Sequence, residues 1–529
     1  MTAIAHVERY KMFELNLTGT SAGNPYADVT LRASFTSHAT GDSIDVNGFY
    51  RGQGRYSIRF MPTEEGVWTY GTRSDDPSME ELKGEIVVDP AGEGNHGRVL
   101  RACDVAKGAL REAYGAQLPY CFSYEDGTPY QPHGTTCYAW TNQSERVQDR
   151  TVATLAKAPF NKIRMCVFPK YYDFNTADPE MFAYEGSMVE GFDHTRFNEP
   201  FFENLDRRIA QLDELGIEAD IILLHPYDKP EWGFSSMGAQ ADMFYLSYMV
   251  RRYAAYKNVW WSLANEYDIL LPQKPLEDWR RYARVVMAND PFNHLRSVHN
   301  CVKVYDYNEA WCTHCSTQRV DVTRTTECIA DWRREFGKPV VCDEPGYEGN
   351  IYWGWGNLTG EELVRRFWEG AMRRGYVTHG ETFIDQGEQV WWAHGGELHG
   401  ETPERIAFMR GVFADLPLDA APLDDDMPPE FVWSAPAPSE GGAPFTPHDE
   451  KAGRYWDVPV LRSGDDYQLA YFGWYRPAYR EFLLPEGGRY VVDVIDTWDM
   501  TIDTLPGTYE GSVRVDLGRQ YMAVRIRKA

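Results

Sequence analysis

Positive charge is scarce in this sequence. Its 529 residues carry 53 Lys and Arg against 79 Asp and Glu, a formal net charge of −26. The electrostatic term that drives nucleic-acid binding therefore has the wrong sign, and anionic membrane surfaces are disfavoured for the same reason. Long apolar runs are missing as well. No stretch approaches the ~20 apolar residues of a membrane-spanning helix, and residues 1–11 lack the apolar core of a secretory leader. The expectation is a cytoplasmic protein with neither a nucleic-acid nor a membrane partner, acting on a neutral substrate, and compatible with a homo-oligomer.

Several chemical signatures are absent too. There is no G-x-G-x-x-G or Walker pattern for phosphate, no H-E-x-x-H for zinc and no G-x-S-x-G for a serine nucleophile. The nine cysteines are an odd number, and Cys137, Cys166, Cys301, Cys312, Cys315 and Cys342 fall in or beside apolar, strand-like runs. Buried thiols in a reducing compartment fit that placement better than a disulfide framework. Cys312 and Cys315 form one C-x-x-C around His314, but no second pair follows to complete a zinc site. No metal and no cofactor are expected.

Aromatic residues are plentiful: 14% of the chain, with 17 Trp and 33 Tyr. They serve a large core, or they stack on the apolar faces of sugars. Hydrophobic residues at 43% and charged residues at 25% are ordinary for a packed protein. Residues 1–105 read as short alternating strands punctuated by glycine, a β-sandwich pattern. From about residue 118 helical patterns alternate with short apolar runs, the signature of a parallel sheet. Strand-like runs lie near 134–140, 162–168, 218–224, 259–264, 295–299, 311–314, 339–342 and 376–379, so residues 106–416 are expected to form an eight-unit (β/α)8 TIM barrel. A doubly wound open sheet is the alternative, although the glycine-rich phosphate loop that usually opens one is absent. Residues 417–452 carry eight prolines and read as an extended connector. Residues 453–529 return to alternating strands, a second β-sandwich. The expected architecture is α/β: a TIM barrel flanked by N-terminal and C-terminal β-sandwich domains.

Active sites of such barrels lie at the C-terminal ends of the strands. The fourth run ends in Asn265 and Glu266, and the seventh in Glu344. Two carboxylates facing each other across the mouth suit glycoside hydrolysis, in which one protonates the leaving oxygen and the other attacks the anomeric carbon. The acid of such a pair keeps its proton near neutral pH because the second carboxylate disfavours a second charge. Other strand ends supply candidates for sugar binding: Trp140, Arg164, His225, Tyr227, His299, His314 and Glu381, with Trp391 and Trp392 on the loop after strand eight. Each has a plainer reading as a core or ion-paired residue.

The Asn-Glu ending strand four and the Glu ending strand seven resemble the 4/7 superfamily (clan A) of retaining glycoside hydrolases, over roughly 118–416. The resemblance implies that Glu266 is the acid/base, Glu344 the nucleophile and Asn265 a ligand of the sugar 2-hydroxyl. It further implies that Arg164 matches the clan's strand-two arginine and that a tryptophan after strand eight lies under the sugar. The flanking sandwiches and the runs 378–383 and 394–400 are similar to the apiosidase-like branch. Long aromatic-rich loops at 169–200, 226–240, 345–358 and 384–402 suggest exo action on small oligosaccharides or glycosides. β-D-Pyranosides and α-L-arabinofuranosides both remain open as substrates. A non-catalytic carbohydrate-binding barrel and a transglycosylase are the alternatives.

Overall fold

A computed structural model describes residues 5–105, 108–319, 321, 324–384, 390–423 and 458–529. At its centre eight parallel strands form a nearly closed barrel: β1 Gly134–Thr136, β2 Lys162–Cys166, β3 Glu218–Leu224, β4 Val259–Ala264, β5 Arg296–Ser297, β6 Cys315–Gln318, β7 Val340–Glu344 and β8 Tyr376–His379. The order around the wall is β5-β4-β3-β2-β1-β8-β7-β6. A single parallel bridge between His299 and Ser316 joins its two edges. Strands β2, β3 and β4 are buried at every position, as a parallel sheet covered on both faces must be. The covering helices include Glu145–Leu155, Glu199–Glu214, Ala239–Tyr253, Leu276–Asn289, Ile329–Phe336, Gly360–Ala371 and Thr402–Ala414.

Two features depart from the sequence expectation. No helix fills the segment between β5 and β6, which runs as turns and bends. The sixth strand lies at Cys315–Gln318 rather than 311–314. Residues 311–314 are buried and so read as apolar, but they form the bend that feeds the strand. His314 therefore enters β6 from below. Its ring packs edge-on to Phe122 and Trp260 at 5.8 and 5.3 Å, beside the three-stranded sheet of Val99–Arg101, Phe122–Tyr124 and Pro129–Tyr130. The assignment of His314 to the sugar site is corrected: it belongs to the plug at the N-terminal end of the strands.

The N-terminal region packs a five-stranded sheet (Ala5–Glu8, Lys83–Asp89, Gly66–Ser74, Leu31–Ser37, Ser43–Asn47, in that order) on a three-stranded one (Phe13–Thr18, Arg55–Phe60, Phe49–Tyr50). Phe35 stacks on Phe60 between them at 4.0 Å. The C-terminal region is a six-stranded sheet with a two-stranded partner, Tyr479–Leu483 and Ser512–Asp516. Phe482, Val513 and Val515 pack there on Val492, Val524 and Ile526. Most of the expected connector lies outside the described residues. Both sandwiches are fastened to barrel helices: Arg59 bonds Asp206 at 3.1 and 2.7 Å, and Tyr471 stacks on Trp368 at 5.2 Å. Among the described residues no helix is long and apolar enough to cross a membrane.

Candidate active site

The site is built upward from a buried charge lattice in the barrel wall. Lys162 Nζ on β2 lies 2.7 Å from Asp220 on β3 and 3.0 Å from Asp343 on β7. Asp343 also accepts Ser316 Oγ at 2.5 Å and Thr378 Oγ1 at 2.8 Å. Burial pushes the Asp343 carboxyl up, but Lys162 and Arg164 outweigh it and hold the group ionised, below the usual carboxylate range. Arg164, fully buried two residues after Lys162, is thereby fixed beneath the last residue of β7.

That last residue is Glu344. Arg164 Nη1 donates to its Oε1 at 3.3 Å and to the Tyr138 hydroxyl at 2.8 Å. The Tyr138 hydroxyl in turn donates to Glu344 and lies 3.1 Å from Asn265 Oδ1. Burial keeps that phenol protonated, so it stays a donor. Asn265 Nδ2 donates to Glu266 Oε2 at 3.2 Å. One chain of polar contacts thus runs from Glu344 through Tyr138 and Asn265 to Glu266. Burial, and then the nearby Glu266 charge, push the Glu344 carboxyl up to about 7, against the pull of Arg164, Lys170 and Tyr138.

Glu266 follows β4 with φ +53° and ψ +55°, a left-handed conformation that side chains rarely adopt. The turn is held on both sides: Asn265 N–H donates to Leu224 O at 3.0 Å and Tyr267 N–H to His299 O at 2.9 Å. Such strain gathers where surrounding structure over-determines a functional side chain. Glu266 Oε1 accepts Gln318 Nε2 at 2.8 Å, and Oε2 accepts the Tyr227 hydroxyl.

Of the residues singled out from the sequence, Glu266, Glu344, Asn265, Arg164, Tyr227 and Trp392 come together here. Trp392 faces Tyr138 edge-on at 5.5 Å and packs on Trp355 at 5.0 Å and Tyr172 at 5.9 Å, so these rings wall one side. His225 stands behind. Its Nε2 bonds Phe168 O at 3.2 Å and its Nδ1 accepts Tyr227 N–H at 3.1 Å. Burial takes its pKa down to about 3. It is a neutral strut that aims Tyr227.

Four further expectations are corrected. Trp140 is wholly buried in the core and offers no face to a sugar. Trp391, next to Trp392, turns the opposite way and donates to Thr135 Oγ1 at 2.9 Å. His299 is sealed under the site, held neutral by burial, with neither ring nitrogen bonded among the described residues. Glu381 accepts the N–H groups of His399 at 2.5 Å and Gly400 at 2.9 Å. It anchors the loop after β8, where burial pushes it up to about 7.

Sequence reasoning missed Tyr138, Gln318 and Lys170. Tyr138 lay within the first apolar run, and a strand ending at Thr136 would have exposed it as the first residue above the rim. Gln318 was hidden by the misplaced sixth strand, whose true end it is. Among the described residues no group of three or more His, Cys, Asp or Glu could hold a metal ion.

Comparison with known proteins adds three family matches. The model of an apiosidase-like catalytic domain covers residues 119–396, and two domains of unknown function match residues 6–75 and 456–527. A candidate glycoside hydrolase from Bacteroides vulgatus ATCC 8482 is 33% identical, with a TM-score of 0.85 over 99% of this chain and 100% of its own. A glycoside hydrolase family 5 protein from the same strain is 14% identical, with a TM-score of 0.60 over 82% of this chain and 93% of its own, a likeness of fold. No curated protein matches.

Proposed function

This chain belongs to the apiosidase-like family and is a glycoside hydrolase acting on carbohydrate; from that premise we propose that it is a retaining, exo-acting enzyme for small oligosaccharides or glycosides, either β-D-pyranosides or α-L-arabinofuranosides. The observation that carries this reading is the unequal setting of two linked carboxylates. Glu344 has a guanidinium and a phenol donating to it, while the groups that bond Glu266 among the described residues are neutral: Gln318, Tyr227, Asn265 and the Cys301 thiol. A donor set that includes a cation favours the charged form, which suits Glu344 to the nucleophile's role and leaves the acid/base role to Glu266.

In the first step the ionised Glu344 attacks the anomeric carbon while Glu266 gives its proton to the departing oxygen. The covalent ester removes the Glu344 charge. Glu266, now without a like charge beside it, takes a proton from water, and the resulting hydroxide opens the ester. The closed setting supports exo action: Glu266 is 6% exposed, and Tyr347, next to Glu344, and Trp392, next to Tyr138, are buried.

Proton NMR of the first product tests the mechanism. Retention gives the same anomer as the substrate before mutarotation. An inverted first product would remove the double displacement. Oligosaccharides labelled at the reducing end test exo action, which requires single sugars as the earliest products; mid-chain fragments would contradict it.

A further inference from the structure

The described residues bury three lysines: Lys162, Lys170 and Lys274. Two are fully paired. Lys162 bridges Asp220 and Asp343, and Lys274 bonds Asp242 at 2.5 Å and Met237 O at 2.9 Å. Lys170, on the loop leaving β2, is not. Its side chain is 4% exposed, yet its ammonium meets only ring faces: Tyr138 at 3.7 Å, Tyr227 at 4.4 Å and Trp392 at 4.7 Å to the centroids. Among the described residues no oxygen accepts from it and no carboxylate lies within 4 Å. Two of the rings belong to the tyrosines that hold Glu344 and Glu266, and the third is the expected sugar platform.

Ring faces attract a cation but fill none of its N–H bonds. A desolvated charge without an acceptor is costly, so natural sites keep one where a partner arrives. Burial disfavours the charged amine and outweighs Glu344 and Glu266, which act on it from a distance, so its pKa is lowered. Its free hydrogens point to a ligand oxygen in the same pocket. The neutral donors Tyr227, Asn265 and Gln318 already suit hydroxyls, and a full charge adds most against an anion.

We infer that Lys170 is the recognition group for the sugar unit held beside Glu344, and that this sugar carries a carboxylate, as a uronic acid does. The inference rests on the glycosidase reading and narrows its substrate class. It also refines the expectation of a neutral substrate, which followed from the charge of the whole chain rather than of the pocket. At −26 overall, the surface repels long polyanions, so the acidic substrate is a short one.

The test is calorimetric titration of the full chain at pH 7 with D-glucuronate and D-galacturonate, each against its neutral counterpart, D-glucose or D-galactose. One uronate binds about 10–100-fold tighter than its partner, the range of a charge-assisted hydrogen bond. Lys170→Met, which keeps the apolar stem and removes the charge, abolishes that preference, so that acid and neutral sugar bind alike. Equal binding of acid and neutral sugar by the wild type would overturn the inference, and so would a preference that survives in Lys170→Met. Should that variant not fold, the wild-type comparison alone decides. The readout does not depend on turnover. Uronate preference without hydrolysis of any glycoside would sink the hydrolase reading and leave Lys170 its role; hydrolysis of neutral glycosides without uronate preference would do the reverse.

Discussion

Tyr138 is where the two halves of the site meet. Its hydroxyl is the donor shared between the Glu344 carboxylate and the Asn265–Glu266 pair. Tyr138→Phe removes that donor and keeps the ring, so Trp392 and Lys170 retain their packing. A donated hydrogen bond stabilises the ionised carboxylate, and its loss makes Glu344 hold a proton more tightly. The sign follows. Glu344 attacks only when ionised, so its ionisation, at about 7, sets the acidic limb of kcat/KM. In Tyr138→Phe that limb moves to higher pH, while kcat/KM at its optimum falls by about 10–100-fold. A pH–rate profile with an unmoved limb would show that Tyr138 does not act on the pair. Glu266, Glu344 and Arg164 were legible in the sequence because each ends or lies in a run whose barrel position is unambiguous. Lys170 was not, since nothing in a loop sequence shows that its amine folds back over three rings.

At the scale of elements, the turn after β4 decides where Glu266 points. Its left-handed backbone costs roughly 1–2 kcal/mol for a residue with a Cβ, and the bonds from Asn265 and Tyr267 to neighbouring strands enforce it. Two substitutions that both delete the carboxylate therefore differ in stability. Glu266→Gly is expected to be more stable than Glu266→Ala by about 0.5–1 kcal/mol, after allowing for glycine's larger unfolded-state entropy. Chemical denaturation of the pair measures it, and an alanine variant as stable as the glycine one would mean that the turn relaxes freely. Strand positions were readable where apolar runs are bounded by polar residues, as at β3, β4 and β7. The sixth strand was not, because the buried bend at 311–314 is as apolar as a strand and periodicity cannot separate the two over four residues. The same limit hid the missing helix between β5 and β6, where a parallel barrel otherwise leads one to expect a helix.

For the whole molecule, the N-terminal sandwich is joined to the barrel by a buried ionic cluster. Arg59 is 3% exposed and reaches Asp206 on the helix Glu199–Glu214. Arg252, on the helix Ala239–Tyr253, binds both Asp206 at 2.8 Å and Glu199 at 2.7 Å. Removing one partner leaves the others buried and unbalanced, a loss of about 3–5 kcal/mol. Arg59→Ala is therefore expected to lower the melting temperature of barrel and sandwich together, with kcat unchanged at temperatures where the variant is folded. Separate unfolding of the two parts, or no change, would show that the sandwich does not brace the barrel. The alternating strands made both sandwiches visible in the sequence. Their attachment was not, because Arg59, Asp206 and Arg252 are far apart in the chain and nothing local distinguishes them from surface charges.

The central claim is that Glu344 forms a covalent bond to the sugar. It is tested most directly by inactivating the protein with the 2-deoxy-2-fluoro analogue of whichever aryl glycoside it hydrolyses, and mapping the adduct by peptide mass spectrometry. Glu344 as nucleophile predicts one sugar per chain, on the peptide that contains Glu344, with slow recovery of activity as water opens the ester. An adduct on Glu266, or full turnover of the analogue's parent glycoside with no adduct at all, would contradict it.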